Sequence, residues 1–282
     1  SIPSIVKAIE LNDVAVAFNL EALEWGRRAA FDLGSVEQAA GVRQVFTPLT
    51  NMDEITSDRI SRLIGYQSDD YAQRYARLIN NVRQLEDDYL QSTAGGTDTD
   101  SENHYAVAVA RSLYKLMAYK DEYEVARLYT DGTFTSQLAS MFTGDIKLSF
   151  HLAPPLFSSI DQSTGKPKKM KFPGLMLTAF RLLAPFKFLR GTRLDPFGYL
   201  AERKEERQTL AMYESLFVDL ARGLTAENYK TAIELAELPM KIRGFGHVKS
   251  NNLKVTNARK ETLLRQFRGE LLPVAIIIDA AA

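Results

Sequence analysis

The sequence contains no cysteine, and it has only three histidines and one tryptophan among 282 residues. Without cysteine, the chain itself has no disulfide, no thiolate nucleophile, and no zinc or iron–sulfur site with cysteine ligands. The histidines, His104, His151 and His247, lie far apart and lack the HExxH spacing of a zinc site. The sequence therefore predicts no metal site.

The common catalytic and phosphate-binding motifs are also missing. No GxGxxG opens a helix after a strand, no GxxxxGK[ST] occurs, and the GxSxG elbow of serine hydrolases is absent. Because none of these patterns is present, we predict no catalytic residue in this chain.

The sequence also lacks a net charge and a long apolar run. The 35 basic and 35 acidic residues balance, so the chain as a whole has no general attraction to nucleic acid or to a membrane. No apolar run reaches membrane-spanning length, and the amino terminus lacks the basic-then-apolar order of a signal peptide. We expect a soluble, cytoplasmic protein with neither nucleic acid nor membrane as a partner.

Apolar residues recur at helical spacing along most of the chain. Hydrophobic residues make up 45% and charged residues 25%, which is typical of a globular protein. The pattern predicts a mainly α fold, in which residues 52–89 form a helical hairpin broken near Gly65. The other predicted helices are one or two helices over residues 4–33 with a stop at Gly34, one long helical run over 111–132, a helix over 201–223, a helix capped by Thr225, and a last helix ending at Arg268.

One short region has the two-residue period of a strand. Ile146, Leu148 and Phe150 alternate with polar residues, and residues 168–172 form a plausible returning strand. This predicts a small β-hairpin near 145–172, inserted in the helical fold and followed by an apolar helix that Pro185 kinks or ends.

A connecting segment ended by Pro48 suggests a domain boundary. We therefore expect a helical region over residues 1–45 and a mainly helical domain with the hairpin over residues 46–282.

Tyrosines are frequent in residues 111–132. Tyr119 and Tyr123 are candidates for an interface with another chain, because tyrosine combines apolar area with a hydrogen-bonding tip. A core helix uses tyrosine in the same way, and we slightly favour the core.

Basic residues are segregated between Gln162 and Leu194, where no acidic residue occurs. Such a segment would attract an anion or an acidic protein, with an affinity that falls as salt rises. The alternative is a solvated face neutralised by acidic runs such as residues 86–88, and a basic amphipathic helix for a membrane or nucleic acid is less favoured. The candidate anion-binding or partner-binding residues of this segment are Lys166, Lys168, Lys169, Lys171, Arg190 and Arg193.

A second basic loop, RGFGHVK, runs from Arg243 to Lys249. Its glycines would allow backbone amides and the two cations to approach a phosphate or a carboxylate. A tight turn without a ligand explains the same residues.

Four stretches carry a resemblance to a known enzyme family. LYKLMAYKDEYEVARLYTDG (113–132), FHLAPPL (150–156), RGTRLDPFGY (190–199) and IRGFGHVK (242–249) resemble, in this order, the carboxyl-terminal region of single-chain bacterial indolepyruvate ferredoxin oxidoreductases. Residues 8–30, AIELNDVAVAFNLEALEWGRRAA, resemble the last helices of the preceding γ-type domain in those enzymes. The resemblance ends after Arg268.

The resemblance implies oxidative decarboxylation of an aryl 2-oxoacid such as indolepyruvate, with coenzyme A accepting the acyl group and ferredoxin accepting the electrons. It places thiamine diphosphate, magnesium and the iron–sulfur clusters in the catalytic remainder, upstream of this chain. The chain then corresponds to a non-catalytic portion of a larger enzyme, which packs against that remainder or a second copy. Residues 166–193 would guide acidic ferredoxin or contact coenzyme A phosphates. The alternative is a stand-alone helical adaptor that binds an anionic partner through the same segment.

Overall fold

The computed structural model describes residues 1–40, 49–93, 103–142, 144, 146–152, 170–244 and 247–270. Within these ranges the chain forms twelve α-helices, one 3-10 helix and one two-stranded sheet. The expected mainly α fold with a small hairpin is thereby confirmed. The chain divides into two units, Ser1–Leu49 and Thr50–Ala282, while the predicted boundary between residues 45 and 46 lies outside the described ranges.

The described residues of the first unit form three helices, Ile2–Asn12 (α1), Val16–Phe31 (α2) and Leu33–Ala39 (α3). Of the one or two helices predicted over residues 4–33 there are two, because the backbone at Asp13 and Ala15 takes positive φ angles of 50° and 47° between them.

The predicted stop at Gly34 is wrong, since this glycine lies inside α3. The break comes two residues earlier, at Asp32. Its backbone is extended, and its carboxylate accepts a hydrogen bond from the Ser35 amide at 3.1 Å. Asp32 therefore ends α2 and caps α3.

The second unit holds the other elements. In chain order they are Met52–Tyr66 (α4), Asp69–Thr93 (α5), His104–Met117 (α6), Glu122–Thr130 (α7), Thr133–Met141 (α8), Ser149–Leu152 (β1), Met170–Pro173 (β2), Met176–Leu183 (α9), the 3-10 helix Ala184–Leu189, Ala201–Arg222 (α10), Tyr229–Lys241 (α11) and His247–Phe267 (α12).

The main core of this unit lies among α4, α5, α6, α10, α11 and α12. Apolar residues at helical spacing place one face of each helix in it, as at Ile55, Ile79, Leu113, Phe217 and Leu235, all of which are fully buried. The α4–α5 hairpin confirms the predicted break after Gly65.

Buried tyrosines tie these helices together through their hydroxyl groups. Tyr75 donates to the carbonyl of Ala110 at 3.1 Å, and Tyr105 donates to the carbonyl of Phe217 at 2.6 Å. A buried hydroxyl needs such a partner because an unsatisfied one is costly, so each bond also fixes the register of two helices.

A smaller core lies where α7 and α9 pack against the hairpin. Strands β1 and β2 are antiparallel and pair Phe150 with Phe172, which confirms the predicted hairpin. Tyr129 stacks on Phe180 with ring centroids 5.5 Å apart, and Phe150 meets both rings edge to face. The sheet is thus covered by aromatic side chains, as two strands alone require.

Two other predictions need correction. Residues 111–132 are not one helix, because α6 ends at Met117 and the Asp121 carboxylate accepts from the Glu124 amide at 2.8 Å to begin α7. Thr225 does not cap α11 directly. Asn228 occupies the cap position, and its side chain accepts from the Thr225 amide at 2.8 Å in the preceding turn.

None of the helices in the described part of the chain combines the length and apolar composition needed to cross a membrane.

Candidate functional site

The structure separates the residues of the predicted basic segment. Lys166, Lys168 and Lys169 lie outside the described residues. Lys171 on β2 and Arg193 in the loop after the 3-10 helix are exposed.

Arg190 is buried, with only 4% of its surface exposed. Its guanidinium donates to both oxygens of Asp121, including a 2.9 Å bond from Nη2, and to the carbonyl of Tyr66 at 2.7 Å. It also lies 3.7 Å from the centre of the Tyr66 ring. The prediction that Arg190 binds an anion or a partner is therefore wrong, since its charge and its donors are used inside the fold.

Tyr119 and Tyr123 are buried as well. The Tyr123 hydroxyl donates to Oδ1 of Asp195 at 3.2 Å, and its ring meets Phe197 edge to face. The Tyr119 carbonyl accepts from the Tyr66 hydroxyl at 2.9 Å. Both side chains belong to the interior rather than to an open interface, which agrees with the core interpretation of this segment.

Asp195 connects Tyr123 with the loop of residues 190–199. Its carboxylate accepts from the Gly191 amide at 2.9 Å and from the Phe197 amide at 3.1 Å, in addition to Tyr123. The loop is therefore held by one buried carboxylate and by the Arg190–Asp121 pair. We call the residues Tyr66, Asp121, Tyr123, Arg190 and Asp195 the buried network.

A cavity of about 340 Å³ lies elsewhere in the second unit, where the end of α6, the start of α10, the end of α11 and the start of α12 meet. We call it the cationic cleft. Five cationic side chains and three glutamates line it, namely Lys115, Lys120, Arg203, Arg243, Lys249, Glu202, Glu205 and Glu206.

Lys115 joins the lining of the cationic cleft to the end of α11. Its ammonium donates to the carbonyls of Pro239 at 2.8 Å, Met240 at 3.0 Å and Ile242 at 2.8 Å, where the helix ends and its last carbonyls lack partners in a following turn. Burial lowers the pKa of Lys115, and the neighbouring charges of Arg243 and Lys249 lower it further. Three positive charges thus converge at this point.

Glu206 balances part of that charge. Its carboxylate accepts from Lys249 and from Arg203, and its own side chain is nine-tenths buried. Arg203 is similarly buried and lies over the Tyr119 ring, with 5.6 Å between the guanidinium and the ring centre. Glu206 therefore holds two cations in the wall of the cleft.

Arg243 is exposed, and its weak 3.5 Å bond from Nε to the Met240 carbonyl engages one edge of the guanidinium. Its backbone is better fixed, because the Arg243 carbonyl accepts from Asn252 at 2.8 Å. The structure thus brings Arg243 and Lys249, which the sequence predicts as one anion-binding pair, into one wall.

No local sequence pattern indicates the roles of Lys115, Arg203 and Glu206. Lys115 contacts carbonyls 124 to 127 residues away, and Lys249 contacts Glu206 from 43 residues away. A local pattern contains no information about such pairs.

In the described ranges, no group of three or more histidine, aspartate or glutamate side chains is arranged so that it could hold a metal ion. Neither the curated proteins nor the solved structures gave a match to the chain. One family model does match, over residues 52–262, which is well over half of the 282 residues and includes every wall of the cationic cleft. The chain therefore belongs to a family of unknown function, DUF6537.

Proposed function

We propose that this chain is a non-catalytic assembly and interaction region of a cytoplasmic 2-oxoacid:ferredoxin oxidoreductase that acts on indolepyruvate. The proposal starts from the four resembling stretches, and one structural observation carries it. Three of these stretches interlock. Residues 190–199 contact residues 113–132 through Arg190–Asp121 and Asp195–Tyr123, and Lys115 donates to the carbonyl of Ile242 in the stretch 242–249.

This interlocking supports a scaffold rather than a reaction centre. Asp121, Tyr123, Arg190 and Asp195 are buried and use their polar groups on one another, and the partly buried Lys115 uses its three donors on backbone carbonyls, so these groups are not arranged to act on a reacting molecule. A resemblance through such residues is expected when two chains share a fold that positions other parts of an enzyme.

Exposed apolar side chains in the first unit support an assembly role. Phe31 is 95% exposed, Leu11 75% and Phe18 71%, and no side chain of α1, α2 or α3 is buried. Apolar surface of this kind marks contacts with another protein. In the proposal it packs against the catalytic remainder or a second copy of the enzyme.

The cofactors of such an enzyme do not fit the residues of this chain. Iron–sulfur clusters need cysteine ligands, of which the chain has none, and the described residues offer no cluster of carboxylates or histidines for magnesium. In the proposal, thiamine diphosphate, magnesium and the clusters are held by the catalytic remainder.

An immunodepletion experiment tests the proposal. An antibody raised against the 31.7 kDa chain is applied to an extract of the source cells. We expect it to detect a polypeptide several times heavier and to remove indolepyruvate-dependent ferredoxin reduction from the extract. Complete depletion that leaves this activity in the supernatant would contradict the proposal.

The second candidate is the stand-alone adaptor, and the exposure of Lys171 and Arg193 favours it. In that case the antibody would detect a band near 31.7 kDa. Replacing Lys168, Lys169 and Lys171 by glutamate would then weaken binding of an acidic protein at low salt and have little effect at high salt. Arg190 is left unchanged in this test because its loss would disturb the fold.

A further inference from the structure

We infer that the cationic cleft binds a small organic anion, with a phosphate or carboxylate group held at Arg243 and Lys249 and an apolar body lying deeper in the cavity. The inference rests on the geometry of the cleft and is independent of the proposed function. Four properties of the cleft support it: the charge, the available hydrogen-bond donors, the apolar wall and the size.

Part of the positive charge of the cleft is not paired with a carboxylate. Glu206 is shared between Lys249 and Arg203, and Arg203 also lies 3.8 Å from Glu122 and from Glu202, whereas Lys115 and Arg243 form no ion pair among the described residues. The ammonium of Lys115 contacts neutral carbonyls, so the field of its charge remains. Cations held close together repel one another, and an anion placed among them relieves that repulsion.

The donors available to an anion are on Arg243 and Lys249. Lys115 already donates three hydrogen bonds, which is the full number for an ammonium group. Arg243 uses Nε on Met240, and a guanidinium presents further N–H groups in a fork that matches a phosphate or a carboxylate. Lys249 spends one donor on Glu206, and an ammonium has two more.

Apolar and aromatic groups line the rest of the cleft. Leu116, Tyr119, Pro239, Ile242 and Leu253 contribute to its wall. These residues do not offer charge to a ligand, but they favour the removal of an apolar ligand surface from water. The cleft therefore favours an anion that carries an aromatic or aliphatic group over a bare inorganic ion.

The size of the cleft sets the size of the ligand. A volume of about 340 Å³ is at the lower end of the range for small-molecule sites, which runs from roughly 300 to 1,000 Å³. A single ring with one anionic group fits this volume. A folded protein partner does not enter it.

Isothermal titration calorimetry of the full chain with four probes tests the inference. Phenyl phosphate and benzoate represent the two anionic groups, inorganic phosphate lacks the apolar body, and benzyl alcohol lacks the charge. We expect phenyl phosphate or benzoate to bind at least about tenfold more tightly than inorganic phosphate or benzyl alcohol. Inorganic phosphate lacks the apolar contact with the cleft, and benzyl alcohol lacks the charged contact with Arg243 and Lys249. Absence of binding by both aromatic anions at millimolar concentration would overturn the inference, and equal binding of inorganic phosphate would overturn the apolar contact.

Arg243→Gln locates the site. This exposed residue is replaceable without disturbing the core, and we expect the variant to lose about tenfold or more in affinity for the aromatic anion. Arg243→Lys keeps the charge but not the fork, so an intermediate loss is expected. Arg193→Gln is the matched control, because it removes an exposed arginine that does not line the cleft. Equal affinity of the Arg243→Gln variant and the control would overturn the assignment.

Glu206→Gln is expected to strengthen the binding of the aromatic anion, whereas Arg243→Gln weakens it. It removes the carboxylate that neutralises Lys249 and Arg203, so the cleft becomes more positive and a donor of Lys249 is released. We expect the affinity for the aromatic anion to rise several-fold, provided that circular dichroism shows an unchanged helix content. A rise in affinity cannot result from partial unfolding, and a folded variant with weaker binding would contradict the inference.

Discussion

The buried network and the cationic cleft both contain arginine and acidic side chains, but these side chains have different surroundings in the two regions. Arg190 in the network is 4% exposed and meets a carboxylate, a carbonyl and an aromatic ring. Arg243 in the cleft is exposed and has a single weak side-chain bond at 3.5 Å among the described residues. A basic residue therefore indicates a binding site only where the fold leaves its hydrogen-bond donors unused.

The largest expected effect concerns the buried network. Arg190→Met leaves the Asp121 carboxylate buried without its cation, and we expect the free energy of unfolding to fall by about 3–5 kcal/mol. Urea unfolding followed by circular dichroism measures the change. Arg193→Met, four residues from the end of the 3-10 helix and exposed, should change stability by no more than about 0.5 kcal/mol. Similar losses in both variants would show that Arg190 is not a structural arginine.

A buried carboxylate that pairs with no cation among the described residues sharpens the contrast with Asp121. Glu86 is fully buried and accepts from the Tyr105 amide at 2.9 Å, the Ala106 amide at 2.8 Å and the Tyr229 hydroxyl. Glu86→Gln keeps the shape but turns one acceptor into a donor facing these groups. We expect a loss of about 1–3 kcal/mol in the free energy of unfolding.

The pH dependence of that loss has a definite sign. Burial raises the pKa of Glu86 above its ordinary value of 4.5, against the opposing effect of its hydrogen bonds. The folded state then binds the proton more tightly than the unfolded state, so the stabilising contribution is full below pH 4.5 and is lost as the pH rises through the folded pKa. The stability of the wild type minus that of Glu86→Gln should therefore decrease as pH rises above 4.5, and an increase would contradict this account.

A smaller effect is expected at Tyr123. Tyr123→Phe removes the hydroxyl that donates to Asp195 but keeps the ring against Phe197. Asp195 retains the Gly191 and Phe197 amides, so we expect a loss of about 1–2 kcal/mol in unfolding free energy. Tyr199→Phe is the control, since this exposed hydroxyl donates to the Arg193 carbonyl at the surface and its loss should cost less. A larger loss of unfolding free energy for Tyr199→Phe than for Tyr123→Phe would contradict a buried, stabilising bond between Tyr123 and Asp195.

The smallest expected effect on stability is in the cleft. Arg243→Met removes a charge from a site where cations repel one another, so we expect a change of no more than about 0.5 kcal/mol in unfolding free energy. A loss as large as that of Arg190→Met would mean that Arg243 holds the fold rather than a ligand, and the contrast between the two regions would disappear.

The sequence predicted those parts of the fold that depend on neighbouring residues. The α4–α5 hairpin follows from helical spacing around Gly65, and the β-hairpin follows from the alternation at Leu148 and Phe150. The break between α6 and α7 was missed because the tyrosine and methionine pattern continues across it, while the cap at Asp121 is a local hydrogen bond that the apolar pattern does not register.

The candidate site was predictable only in part, for a physical reason. Arg243 and Lys249 are six residues apart in one loop with two glycines, so the sequence predicts them together as anion-binding residues. Arg190 and Asp121 are 69 residues apart, and composition alone places Arg190 with the surface lysines. Such distant partners decide whether all the hydrogen-bond donors of a cationic side chain are used. The sequence therefore identifies the charged residues but not those that keep donors for a ligand.

Urea unfolding of wild type, Arg243→Gln and Arg193→Gln, with and without phenyl phosphate, tests the contrast most directly. A ligand that binds only the folded state raises the unfolding free energy by RT ln(1 + [L]/Kd), which is about 2.7 kcal/mol at a hundredfold excess over Kd. We predict that phenyl phosphate raises the unfolding midpoint of the wild type and of Arg193→Gln, and has little effect on Arg243→Gln, whose midpoint without ligand is unchanged. An equal rise in all three proteins, or no rise in any, would contradict the account of the cationic cleft.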